Sequence, residues 1–142
     1  MTRKANLIPW EWLLEDLDEV PDCELYVDES AQDEIAEFLT SDKKIIHRFR
    51  LIARGLATGE INEKLYGPEK VSKKASDMMA MKFKGVNRLN PRIYCQDIIK
   101  NGRKIVMIHF LRNKATQKVD KKLKNKIELI GGYEYEFCKP KK

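Results

Sequence analysis

Residues Met78 to Arg112, MMAMKFKGVNRLNPRIYCQDIIKNGRKIVMIHFLR, decide how the rest of this chain is read. From Met79 to Lys84 the side chains Met79, Met81 and Phe83 alternate with Ala80, Lys82 and Lys84, the two-residue period of a half-buried strand. Asn101-Gly102 stands between two apolar runs, and both residues tolerate the positive φ of a two-residue type I′ hairpin turn. With those two as the loop, Lys100 lies opposite Arg103, Ile98 opposite Ile105, Gln96 opposite Met107, Tyr94 opposite His109 and Arg92 opposite Leu111. Opposed residues share a face. One face therefore collects Ile93, Cys95, Val106, Ile108 and Phe110, interrupted by Asp97, and is fit to bury. The other collects Arg92, Tyr94, Gln96 and His109, joined by Lys82 and Lys84 from the preceding strand, and is expected to stay open. Arg112 and Lys114 stand where the chain leaves the sheet, so alternation does not set their direction.

At 142 residues the chain fits a single domain whose core needs no staples. It holds no apolar run of membrane-spanning length and no signal-peptide pattern, so a cytoplasmic location and no membrane partner are expected. Cys23, Cys95 and Cys138 are odd in number and fall in or beside expected strands, which favours buried thiols over disulfides. Two histidines, His47 and His109, without paired cysteine spacing give no support for a metal site, and no cofactor is expected. The net charge of +6 hides a division. Residues 1–80 carry 11 Lys and Arg against 17 Asp and Glu, a net −6, whereas residues 81–142 carry 17 against 5, a net +12. A basic half points to a polyanion, most simply nucleic acid.

Residues 1–22 read as an acidic amphipathic extension, with Trp10, Leu13, Leu14 and Leu17 at helical spacing behind Pro9. A first strand is expected at Cys23–Val27. Ser30 with Asp33 resembles a capping box ahead of a helix carrying Ile35, Phe38 and Leu39. A second helix starts at Ser41-Asp42 and carries Ile45, Ile46, Phe49, Ile52, Ala53 and Leu56, with His47, Arg48 and Arg50 on its solvated side. Residues 60–77 read as a loop. Asp120 is placed to cap a last helix with Leu123, Ile127 and Ile130, which Gly131-Gly132 ends. Tyr133 to Phe137 alternates as a short strand does, and 139–142 form a basic tail. The expected architecture is α+β, an antiparallel sheet of about four strands with a two-helix N-terminal hairpin on one face and a C-terminal helix.

This order and the run Ile105-Val-Met-Ile-His109-Phe-Leu-Arg-Asn-Lys-Ala-Thr116-Gln117-Lys118 resemble the RelE/HigB superfamily of toxins from toxin–antitoxin modules, in its phage-associated HigB-like branch. Met81-Lys-Phe-Lys-Gly85 and Arg92-Ile-Tyr match as well. The likeness covers residues 23–138, the expected toxin domain. It implies a metal-independent endoribonuclease that cuts messenger RNA, usually on the ribosome, and is held inactive by a cognate helix-turn-helix antitoxin. In that chemistry the RNA's own 2′-OH attacks the adjacent phosphate, which calls for a base, for positive charge on the phosphorane oxygens and for a proton on the leaving oxygen. The assignments that follow are Lys82, Lys84, Arg92 and Arg112 for phosphate and transition-state charge, and His109 as general base or acid, because its ordinary pKa lies near neutrality. Arg88, Tyr94, Lys114 and Tyr135 are flanking RNA contacts, with Tyr133 the alternative to Tyr135. Two other classes fit the same residues: a non-catalytic RNA- or ribosome-binding module, and a protein-interaction component working through the acidic N-terminal part.

Overall fold

A computed structural model of the chain describes residues 2–14, 20–69, 77–86, 90–112, 121–130 and 132–139. The elements follow in the order β1 (Thr2–Ile8), a 3₁₀ turn (Trp10–Trp12), β2 (Cys23–Asp28), α1 (Gln32–Thr40), α2 (Lys43–Thr58), β3 (Tyr66–Pro68), β4 (Met78–Lys82), β5 (Arg92–Lys100), β6 (Arg103–Arg112), α3 (Lys121–Ile130) and β7 (Glu134–Cys138). Among the described residues the strands form one seven-stranded sheet in the order β3-β4-β5-β6-β2-β1-β7. The expected four-stranded antiparallel sheet is thus corrected to a larger, mixed one, because β2 runs parallel to β6 and β1 parallel to β7. The helical hairpin is not N-terminal either, since two strands precede it. Residues of the segment set apart as an extension supply β1 and, where a helix was expected, a single 3₁₀ turn at Trp10–Trp12; Leu17 lies outside the described residues.

The helices behave as their spacing dictates. The Asp42 carboxylate accepts from the Lys44 backbone N at 2.7 Å and starts α2, and Gly59 ends it in the left-handed region at φ 81°. The Ser30 hydroxyl does not cap α1; it turns back to Asp28. Asp120 and Gly131 lie outside the described residues. One face of the sheet packs Leu25, Val27, Met81, Phe83, Ile93, Cys95, Val106 and Ile108 against Ile35, Phe38, Ile45, Phe49, Ile52 and Leu56 of α1 and α2. Asp97, out of place in the sequence pattern, accepts from the Tyr66 hydroxyl at 2.6 Å.

The face expected to stay open is covered. Leu123, Ile127 and Ile130 of α3 pack on Met78, Ala80, Tyr94 and Phe110, and Ala5, Tyr26, Ile105 and Met107 are buried beside Tyr135 and Phe137. Curvature closes this side. Lys100 of β5 places its Nζ 4.5 Å from the Phe137 ring centroid of β7, four strands away. In a flat sheet those strands would stand about 19 Å apart at the usual spacing, beyond a lysine's reach, so the sheet rolls towards α3.

The hairpin turn has the expected conformation, with φ 53° at Asn101 and 75° at Gly102. Pairing holds as read from Lys100↔Arg103 to Gln96↔Met107 and then shifts: Cys95 lies opposite Ile108, Tyr94 opposite Phe110 and Arg92 opposite Arg112. His109 is the extra residue of a β-bulge. The bulge turns Phe110 onto the α3 side and corrects the expected Tyr94–His109 and Arg92–Leu111 pairs. No helix among the described residues is long and apolar enough to cross a membrane.

Candidate functional site

The shifted register brings three cations side by side. Lys82 pairs with Arg92 across β4 and β5, and Arg92 pairs with Arg112 across β5 and β6. Like charges directly opposed destabilise a sheet, so this row needs counter-charge. Glu69, just beyond β3, forms an ion pair with Arg92. Arg112 is buried and its guanidinium hydrogen-bonds the Tyr94 hydroxyl. Replacing Arg112 therefore removes packing as well as charge.

Lys82 and Arg92 open into a cleft of about 160 Å³ lined also by Lys64, Phe83, Lys84, Asn90 and Pro91. Phe83 faces the core, edge-on to Phe38 with ring centroids 5.2 Å apart, and the lysines on either side of it point outwards. Lys82 has room because Gly67 on β3 lacks a side chain: a Cβ there would stand 2.8 Å from the Glu63 carbonyl oxygen and 3.5 Å from the Lys82 Nζ. Lys64 escaped the sequence reading. It lies in a turn held by the Asn62 side chain, with no strand or helix period to give it a direction. Four cations around so small a space, three of them lysines and two of those well exposed, suit a phosphate group.

His109 lies elsewhere, in a chain of hydrogen bonds on the α3 side. Its Nδ1 is 2.9 Å from the Tyr135 hydroxyl and its Nε2 is 2.8 Å from the Gln96 Oε1. The Tyr135 hydroxyl donates to Asp28 Oδ2 at 2.6 Å, and Asp28 also accepts from Arg3 at 2.8 and 3.1 Å and from the Ser30 backbone N and hydroxyl. These donors hold the Asp28 carboxyl down at about 2 against the penalty of burial. Burial pushes the His109 pKa down to about 4, so the ring is neutral at pH 7 and carries one proton. With the Tyr135 proton directed at Asp28, that proton sits on Nδ1. Nε2 is then satisfied when the Gln96 amide turns its NH₂ towards the ring.

The residues assigned from sequence thus divide. Lys82, Lys84 and Arg92 share the cleft and Arg112 continues their row, whereas Tyr94 is buried and stacked on Phe110, its phenol pKa raised by burial. His109 and Tyr135 belong to the Asp28 network, whose other members, Arg3, Asp28 and Gln96, were not singled out. Arg88 and Lys114 lie outside the described residues. The network borders a second cavity, of about 210 Å³, lined among others by Arg3, Asp28, His109, Lys126 and Tyr133. Comparison of the chain with protein-family models, curated proteins and solved structures gave no match.

Proposed function

We propose that this protein is an endoribonuclease that grips the RNA backbone at the Lys64–Lys82–Lys84–Arg92 cleft and cuts it through the RNA's own 2′-OH. The observation that supports this reading is the row Lys82–Arg92–Arg112, three cations in cross-strand register with one carboxylate, Glu69, against them. A phosphate supplies the missing counter-charge. In the reaction the 2′-oxygen loses its proton and bonds to phosphorus, the bond to the 5′-oxygen breaks, and that oxygen takes up a proton. The extra negative charge on the phosphorane oxygens meets the amines and guanidinium of the cleft, where fixed cations contribute most to rate. Both proton transfers go to and from water in this scheme. His109 has no part in it, with both ring nitrogens engaged and little solvent access. The further reading, a toxin that cuts messenger RNA on the ribosome in the cytoplasm and is silenced by a helix-turn-helix antitoxin, rests on the sequence likeness over residues 105–118.

The buried state of His109 also favours a second reading, a module that binds RNA without cutting it. Labelled messenger RNA incubated with the protein, with and without ribosomes and with a metal chelator, separates the two. Cleavage under chelation that Lys82→Gln and Arg92→Gln abolish supports the enzyme. Salt-sensitive binding without cleavage supports the module, and neither binding nor cleavage overturns both. Growth inhibition on expression, relieved by a co-expressed neighbouring gene product, tests the toxin reading.

A further inference from the structure

The two cleft lysines pose a problem of positioning. β4 ends at Lys82, so no strand pairing reaches Lys84, and beyond it Gly85 turns the chain at φ 83°. Alternation cannot keep Lys84 on the side of Lys82 where the strand has stopped. The cross-link comes from α2. The Arg48 Nη1 donates to the backbone carbonyls of Lys82 at 3.3 Å and Lys84 at 3.1 Å, spanning the buried Phe83 between them. On the other edge the Phe83 backbone N donates to the Pro91 carbonyl at 2.9 Å, and the Gly85 backbone N donates to the Asn90 side chain at 3.1 Å.

Resting on the RNA reading, we infer that Arg48 is a positioning residue: by clamping both carbonyls it fixes Lys82 and Lys84 at the spacing of one phosphate group. Its own charge is spent on the backbone and does not meet RNA. Sequence periodicity places Arg48 on the solvated side of α2, so nothing in the helix pattern marks it.

The test compares Arg48→Lys and Arg48→Gln with Lys82→Gln and Arg92→Gln, in binding to a labelled oligouridylate across a range of salt. A lysine keeps the charge but is one bond shorter and lacks the guanidinium fork. Both Arg48 variants are expected to lose affinity by a similar factor, about five- to tenfold, the scale of one hydrogen bond involving a charged group. Their salt dependence should stay that of the wild type. Lys82→Gln should instead lower the salt slope by about one. Wild-type binding by Arg48→Lys together with a lowered slope in Arg48→Gln would make Arg48 a direct phosphate contact and overturn the inference. So would unchanged affinity in both. If Lys82→Gln and Arg92→Gln also bind normally, the RNA reading itself fails, and amide exchange decides the clamp alone: the Phe83 amide must exchange faster in Arg48→Gln, and an unchanged rate refutes it. Melting temperatures recorded alongside fix a measurement temperature at which every variant is folded.

Discussion

Replacing Tyr135 with Phe removes one oxygen from the knot that joins β7 to β2, β1 and β6. The ring keeps its place beside Phe137, 6.2 Å away between centroids, so packing changes little. Two contacts are lost, the 2.6 Å bond to Asp28 and the 2.9 Å contact with His109. Asp28 retains Arg3 and Ser30, whereas the His109 Nδ1 loses the partner it has here. A hydrogen bond to a charged group is worth about 1.5–3 kcal/mol, and an orphaned buried polar group costs about 1–3 kcal/mol. The two overlap, so the expected loss is about 2–3 kcal/mol. For a chain of this size that corresponds to a fall of roughly 6–10 °C in Tm. Urea unfolding at pH 7, followed by circular dichroism, should show a lower midpoint with an unchanged slope. A change below about 0.5 kcal/mol, within the usual scatter of surface substitutions, would refute the view that this hydroxyl ties the strands together. RNA binding should survive the substitution, because the cleft lies on other residues.

Acid should weaken the fold in two steps. His109 stays neutral when folded, with its pKa at about 4, while the unfolded chain takes up a proton below about 6.5, so stability is full above pH 6.5 and falls by roughly 3 kcal/mol between pH 6.5 and 4. His109→Gln should flatten that part of the curve measured by urea unfolding. Asp28 has its folded pKa depressed to about 2 from 3.8, so its contribution is present above pH 3.8 and disappears as pH falls towards 2; Asp28→Asn should remove this second step. Gly67→Ala should cut RNA affinity, since a Cβ there must displace the Glu63 backbone and crowd the Lys82 ammonium; titration with oligouridylate checks it, and normal binding would show that the two strands give way. Gly102→Val places a β-branched side chain at φ 75° and should cost about 1–3 kcal/mol in urea unfolding without touching the cleft.

The hairpin was legible because Asn101-Gly102 announces its own turn and the register follows by counting. That counting failed at His109. A period of two assumes no inserted residue, and nothing in Ile108-His109-Phe110 marks a bulge, so Phe110 went to the wrong face and Arg92 received the wrong partner. The α3 stripe of Leu123, Ile127 and Ile130 was plain, but a stripe states only that something must cover it. The sheet face that does so carries cations and a histidine, and this disguised a buried surface as an open one. β1 was missed because Thr2–Ile8 mixes Arg, Lys and Asn with only short apolar residues, and β3 because Tyr66-Gly67-Pro68 has the composition of a turn. Parallel neighbours leave no local mark at all. Lys82, Lys84 and Arg92 were readable as a group because cations on alternate strand positions share a side, whereas Lys64 and Arg48 reach the cleft only through tertiary packing.

The parallel pairs set the order in which this protein can assemble. β4, β5 and β6 are joined by short sequence separations and can zip from the Asn101-Gly102 turn. β2 meets β6 only when Cys23 finds Lys104, 81 residues along, and β1 meets β7 when Thr2 finds Glu134, a separation of 132 residues. Contacts that close long loops slow folding. The bonds linking Arg3, Asp28, Tyr135 and His109 span all four of these strands, so they act as a final latch. In a pulse-labelling experiment the β5–β6 amides should gain protection first and those of β1 and β7 last. Until the latch shuts, the outer edge of β2 is bare backbone, able to pair with another chain in the same state.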